Sequence, residues 1–344
     1  MNFASDNNAG VCPEVLDALA REGGRTAPAY GNDPATAALT ERLGEVFEHE
    51  VAVYPVATGT AANAVALAAM NPPWGGVVCE TDAHIAVDEL AAPTVLGGGV
   101  TLMPLGGEDG RLAPSTVQDH LALQVDDVHW VPPTTLSLTN STEAGTVYGP
   151  EQVGALAEIA HAAGLGVHVD GARFANAVAA TGVSPAELTW RAGVDVLCLG
   201  ATKCGALAAE AVVVFRPDAV TAPERHRKRT GHLLSKQRLV AAQFLGWLAD
   251  DAWLRHAEHA NTAASRLATG LTAAGFRPVH PVESNMVFLH LPHATARRWW
   301  AAGASFYVLP TPDPEVGLAR FVTSWSTTAD EVDGLLGLAM SGGR

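Results

Sequence analysis

Two junctions between an apolar run and a reactive side chain constrain this chain more than any other feature. In Gly193-Val194-Asp195-Val196-Leu197-Cys198-Leu199-Gly200-Ala201-Thr202-Lys203-Cys204-Gly205, a nearly unbroken apolar run ends at one lysine held among small residues. That composition suits a strand covered on both faces. Upstream, Gly166-Val167-His168-Val169-Asp170-Gly171-Ala172-Arg173 has the same form and ends in an aspartate and an arginine.

A lysine after a strand is by itself an ordinary solvated residue, and Val-Asp-Gly an ordinary turn. At two strand ends together, however, an amine and a carboxylate are the pair that a pyridoxal phosphate site needs. The amine makes a Schiff base with the cofactor aldehyde. The carboxylate keeps the pyridine nitrogen protonated, so that the ring accepts electrons from a bond breaking at Cα. A phosphate cradle completes such a site, and Thr58-Gly59-Thr60 opens an Ala-rich segment running to Met70. The free N–H groups and positive end of a helix beginning there suit a dianion, although the same turn also reads as a plain N-cap. His84 follows the apolar run Gly76 to Glu80. It reads either as a ring-stacking imidazole or as a loop histidine without a task.

The rest of the chain alternates helical and β-branched segments. Helices are expected at Pro13 to Arg21, Pro34 to Phe47, Thr60 to Met70, Pro150 to Ala163 and Pro185 to Ala192, most with proline in the first turn. Strands are expected at Val51 to Pro55, Val77 to Glu80, Gly99 to Met103, Val128 to Pro132, Gly166 to Asp170, Val194 to Leu199 and Ala211 to Phe215. Alternation at this spacing means an α/β fold with a mostly parallel sheet covered on both faces, and ligands then bind at the carboxyl ends of the strands. Near Leu248 to Trp253 the pattern changes. A long helix (Trp253 to Ala274), strands near Met286 to Leu291, Ser305 to Leu309 and Leu318 to Ser324, and a last helix (Ala329 to Met340) read as a smaller α+β unit. The expected division is 1–250 for an arm and large domain and 251–344 for a small domain. Trp299-Trp300 reads as core or interface, and Ser341 to Arg344 as a frayed end.

The 344 residues are enough for two cores. A net charge of −15, from 21 basic and 36 acidic residues, argues against nucleic acid, whose phosphates need a basic face. No apolar run reaches the length of a membrane span, and the start lacks the basic and apolar regions of a secretory signal. Cysteines 12, 79, 198 and 204 have no Cys-x-x-Cys spacing, so buried free thiols in a reducing, cytoplasmic compartment are expected, with no metal.

The motifs in series resemble the threonine aldolases, members of the aspartate aminotransferase-like (fold type I) pyridoxal-phosphate enzymes. They are N-F-A-S-D-N-N-A-G at the start, P-A-Y-G-N-D-P, T-G-T-A-A-N, D-A-H-I, T-E-A-G-T-V-Y, H-V-D-G-A-R, G-A-T-K, A-E-A-V-V-V-F and R-F-V-T-S-W-S-T-T. The resemblance implies a large mostly parallel-sheet domain and a small C-terminal α+β domain. It makes Lys203 the Schiff-base lysine, Asp170 the partner of the pyridine nitrogen, and His84 the ring-stacking residue and candidate base. Thr58, Gly59, Thr60, Thr202 and Lys228 would hold the cofactor. Ser5, Tyr30, Arg173 and Arg320 would hold the substrate, with Arg173 also near the cofactor. The implied reaction is retro-aldol cleavage of a β-hydroxy-α-amino acid, such as L-threonine, to glycine and an aldehyde, in a dimer of dimers whose sites share residues between subunits.

The chain departs from the family pattern at three points. Leu138-Thr139-Asn140-Ser141 lacks a histidine found there in one branch, Cys204 replaces a small polar residue or glycine, and an arginine expected near Ser235 is missing. The same lysine and aspartate also suit a β-eliminating lyase, a hydroxymethyltransferase-like enzyme or an aminotransferase, or a cofactor-binding protein without turnover.

Overall fold

The structure, a computed structural model, describes residues 1–341. The large unit contains α1 (Pro13–Gly23), α2 (Pro34–Phe47), β1 (Ala52–Val56), α3 (Gly59–Met70), β2 (Gly76–Glu80), α4 (His84–Val87), α5 (Ala92–Leu96) and β3 (Thr101–Leu105). It continues with α6 (Pro114–Ala122), β4 (Pro133–Thr139), α7 (Pro150–Ala162), β5 (Gly166–Gly171), α8 (Phe174–Thr181), β6 (Val196–Gly200), β7 (Glu210–Val214) and α9 (Pro223–Arg229). Helices α10 (Arg238–Leu248) and α11 (Ala252–Ala273) lead into β8 (Met286–Pro292), α12 (His293–Ala301), β9 (Tyr307–Leu309), β10 (Val316–Val322) and α13 (Ala329–Ser341).

Seven strands form one sheet in the order β1-β7-β6-β5-β4-β2-β3, and three form a second in the order β8-β10-β9. In the large sheet only β7 runs against its neighbours, pairing antiparallel with both β1 and β6. It follows that β1 is parallel to β6, and that β1 through β6 all end along one edge. The alanines of α3 explain how closely it lies on this sheet. Every residue from Ala61 to Ala69 is buried, and Ala62, Val65 and Ala66 pack on Val196, Val212 and Val214. The opposite face carries the main core, where Phe47, Phe174, Phe244 and Trp247 are fully buried. In the smaller core Phe306 stacks on Phe321 at 4.5 Å beside Trp299. Trp299 is buried there, whereas Trp300 is 41% exposed.

The N-terminal residues belong to this smaller core by contact. Phe3 is fully buried in it, donates its N–H to Ser305 O and accepts from the Val322 N–H. Two expected elements are absent. The segment Pro185 to Ala192 forms hydrogen-bonded turns and a 3₁₀ turn at Trp190–Ala192, because the Thr189 hydroxyl bonds back to Pro185 O and Gly193 ends the segment at φ +92°. Val128 to Pro132 is a loop, and the strand begins at Pro133. The Asp127 carboxylate takes the His129 N–H and its carbonyl takes the Trp130 N–H, closing a turn where extension was expected. The strand expected at Gly99 starts at Thr101, since Gly98 and Gly99 adopt positive φ. All four cysteines are buried and unpaired. No helix of the described residues is long and apolar enough to cross a membrane, and the expected fraying beyond Ser341 lies outside the described residues.

Candidate active site

Parallel strands deliver their loops to one place. Thr58 to Thr60 follow β1, His84 follows β2, Asp170 and Arg173 close β5, and Lys203 follows β6.

Asp170 is buried, and its two oxygens have separate donors: Asn63 Nδ2 at 2.8 Å and the Ala172 N–H at 3.0 Å. The same Asn63 amide donates to Glu89 Oε1 at 2.9 Å, and that oxygen also pairs with His84 Nδ1 at 2.9 Å. One buried side chain of α3 thus connects the carboxylate of β5 to the imidazole after β2. The hydrogen bond to Glu89 raises His84 above the ordinary imidazole value, outweighing its desolvation. Burial raises the Glu89 carboxyl. Both shifts retain a proton in the His84–Glu89 hydrogen bond.

Lys203 sits in the 3₁₀ turn Thr202–Cys204, inside the loop that joins β6 to antiparallel β7. Its amine has no hydrogen-bond or ion-pair partner among the described residues. Thr202 Oγ1 braces the loop from within, accepting the Ala209 N–H at 3.1 Å and lying 3.4 Å from Ala209 O. Across the strand register from Gly200 stands Glu210, whose carboxyl burial pushes up to about 7 despite Thr202 and Lys203.

At the N-terminus of α3, Thr58 Oγ1 accepts the Ala61 N–H and Thr58 O accepts the Ala62 N–H. Those two bonds leave the N–H groups of Gly59 and Thr60 ahead of the first intrahelical acceptor. A Cβ built on Gly59 meets nothing within 4 Å, so the space there is open. An open helix N-terminus, a buried carboxylate and an amine that make no ion pair among the described residues together fit pyridoxal phosphate.

Arg173 and Arg320, the two arginines expected to hold the substrate, are close enough for their charges to act on one another. Arg173 Nε and Nη2 grip Asp6 at 2.7 and 3.1 Å in a fully buried pair, and Asn285 of the small unit adds 3.0 Å to the same carboxylate. Burial opposes the Asp6 charge, but Arg173, Lys203 and Asn285 hold the carboxyl below its usual range. Arg173 therefore has only Nη1 fully uncommitted. Arg320 is lowered by burial and then by Arg173, and its buried Nε has no hydrogen-bond partner among the described residues. Two guanidiniums that disfavour one another accommodate an anion well. Ser5 Oγ accepts the Asn7 N–H, so its own hydrogen stays available to a ligand.

Tyr30 and Lys228 meet each other, with the Lys228 ammonium 5.0 Å from the ring centroid. Neither is hydrogen-bonded or ion-paired to the Lys203–Asp170 group among the described residues. Arg238, near the expected arginine, turns inward to Glu22 and the Arg25 carbonyl.

Three residues of this group lie in the motif series with no role expected for them, and a fourth lies outside it. Asn63 closes T-G-T-A-A-N, Asp6 stands in S-D-N, and Glu143 stands in T-E-A-G-T; Glu89 lies five residues past His84. The Glu143 loop hangs from the Asp170 carbonyl through Asn140 N–H at 2.9 Å, and its charge acts on His84, Arg173 and Arg320.

Comparison with known proteins identifies the family. Residues 2–294 match the family described as beta-eliminating lyase. The chain is 42% identical over 332 residues to a low specificity L-threonine aldolase of Pseudomonas aeruginosa, covering 96% of this chain and 94% of that one. A threonine aldolase structure from Leishmania major superposes with a TM-score of 0.93 at 26% identity, over 100% of this chain and 99% of that one. A Sphingomonas wittichii serine palmitoyltransferase, at 16% identity and a TM-score of 0.74 over 100% and 87% of the two chains, shares the fold. The chain belongs to the beta-eliminating lyase family and, within it, to the threonine aldolases.

Proposed function

We propose that Lys203, Asp170, His84, Arg173, Arg320 and Ser5 are the groups with which this enzyme cleaves β-hydroxy-α-amino acids between Cα and Cβ. The activity is that of a carbon–carbon lyase of the threonine aldolase type, and the cofactor is pyridoxal phosphate. L-threonine or L-allo-threonine would give glycine and acetaldehyde. The observation that carries this reading is the Asp170–Asn63–Glu89–His84 connection, which ties the carboxylate of the ring site to an imidazole with a free nitrogen.

When bound, the cofactor supplies a sink for the electron pair left on Cα. Asp170, with an amide and an N–H fixing its oxygens, would face the pyridine nitrogen, and Lys203 would hold the aldehyde carbon. Thr58, Gly59 and Thr60 would hold the phosphate, with Thr202 keeping the lysine loop in shape. Arg320, Arg173 Nη1 and the Ser5 hydroxyl bind the substrate carboxylate, since a guanidinium fork matches it in charge and geometry. His84 uses Nδ1 on Glu89, which leaves Nε2 to take the β-hydroxyl proton. Glu89 then stabilises the imidazolium that forms.

Tyr30 and Lys228 would contribute from a neighbouring subunit, in a homotetramer built as a dimer of dimers in the cytoplasm. The arm and residues up to 250 would act as the cofactor domain, and 251–344 as the small domain. The deciding experiment is an aldehyde assay on purified holoenzyme with L-threonine, beside Lys203→Ala. Acetaldehyde from the wild type alone supports the reading, and ammonia or a keto acid in its place would sink it. Asp170→Ala should lower turnover far more than cofactor retention, and full turnover would remove the ring-protonation role.

A further inference from the structure

Three potential metal ligands meet at a place the aldol chemistry does not use. Cys12 is the N-cap of α1, Glu14 lies in its first turn, and His256 comes from α11, 242 positions from Glu14. One donor atom of each lies within 4.8 Å of the other two, and His256 Nε2 is 3.3 Å from Glu14 Oε2. Two ligands bound tetrahedrally at about 2.0 Å stand roughly 3.3 Å apart, so that separation already suits a shared ion.

We propose that Cys12, Glu14 and His256 form a three-ligand site for a thiophilic divalent cation, with zinc the best chemical match. Sulfur, imidazole nitrogen and carboxylate oxygen are all zinc donors, and three protein ligands leave a fourth position for water. Cys12 is fully buried, His256 has 16% side-chain exposure and Glu14 has 31%, so an ion enters from the Glu14 side and meets sulfur last. Without an ion, burial pushes the Cys12 thiol up to about 11, so the cation itself displaces the thiol proton to solvent on ligation. Arg255, 3.7 Å from the other Glu14 oxygen, is 55% exposed and can turn to water when the ion arrives.

The position gives such an ion a route to the active site without touching it. The Cys12 N–H donates to Gly205 O at 2.8 Å, two residues after Lys203. A Cβ on Gly205 would meet Cys12 Sγ at 3.1 Å, so the site abuts the lysine loop. Trp325, whose ring lies 5.3 Å from that of His256, donates to Gly10 O. An ion would therefore link α1 to α11 beside the loop that carries the reactive amine.

The test uses holoenzyme freed of metal by a chelator and then titrated with zinc chloride by calorimetry, with X-ray absorption at the zinc edge. One zinc per chain is expected, with one sulfur at about 2.3 Å and nitrogen or oxygen at about 2.0–2.1 Å. Cys12→Ser, His256→Ala and Glu14→Gln should each weaken binding by more than the 10–100-fold that losing an outer-sphere partner costs, as an order of magnitude. Glu14→Gln alters a part-exposed side chain and should fold and cleave substrate normally without zinc, so it remains informative if Cys12→Ser folds poorly. No bound zinc, a zinc shell without sulfur, or equal affinity in wild type and Glu14→Gln would each overturn the site.

Discussion

At the scale of single residues, the pairing of His84 with Glu89 predicts a pH profile. The imidazole must be neutral to accept a proton, and the Glu89 hydrogen bond raises it above the ordinary 6.5. Activity should therefore fall as pH drops through a midpoint above 6.5, and Glu89→Gln should move that midpoint down. A profile unmoved by Glu89→Gln would take His84 out of the base role. Arg320→Lys should raise KM for L-threonine about 10–100-fold with a smaller change in kcat, because it removes a charge-assisted fork worth about 1.5–3 kcal/mol. Steady-state kinetics separate the two parameters. Replacing Glu143 with Gln should alter KM, since its charge opposes that of the substrate carboxylate beside Arg173 and Arg320.

Among the elements, two contacts carry predictions. Asp6→Asn leaves Arg173 buried with its fork half-matched, and loss of a buried pair costs about 3–5 kcal/mol. The Asp6 contribution is present above its unfolded value of 3.8 and disappears as pH falls through a lower folded value, so wild type and variant should converge in acid. Thermal melts across pH would test this. Gly246→Ala should destabilise by about 1–3 kcal/mol, because the added carbon would lie 2.8 Å from Ala18 Cβ and 2.5 Å from Glu14 O, where α10 crosses α1. Most of these elements were legible in the sequence. Proline at the first turn marked α1, α2 and α7, and β-branched runs marked β5, β6 and β7 within two residues. Val128 misled because its side chain favours a strand, yet it is 97% exposed on a turn set by Asp127. Pro185 to Ala192 misled because a helix start was present, while the segment closes locally through the Thr189 bond to Pro185 O and the positive φ of Gly193. The amine, the carboxylate and the helix N-terminus of the site were equally readable. Asn63, Glu89 and Asp6 were not, since their importance lies in partners 26 to 279 positions away.

For the whole molecule, the prediction concerns assembly. Sedimentation should show a dimer or tetramer, and Lys228→Ala should reduce turnover with little change in the chain's own melting temperature. A fully active monomer would remove the shared-site arrangement. The sheet also has a property that no single loop shows. The segments after β1, β2, β4 and β5 each leave a strand and pass into a helix or an open loop, so each is hydrogen-bonded into the sheet at one foot. The lysine segment leaves β6 and returns at once through β7, the lone reversed strand, so both of its feet are set in the same ladder. Its ends cannot separate without breaking sheet hydrogen bonds. The group that must meet the cofactor carbon repeatedly is thus mounted on a closed staple, and the groups that must admit and release substrate hang from single hinges.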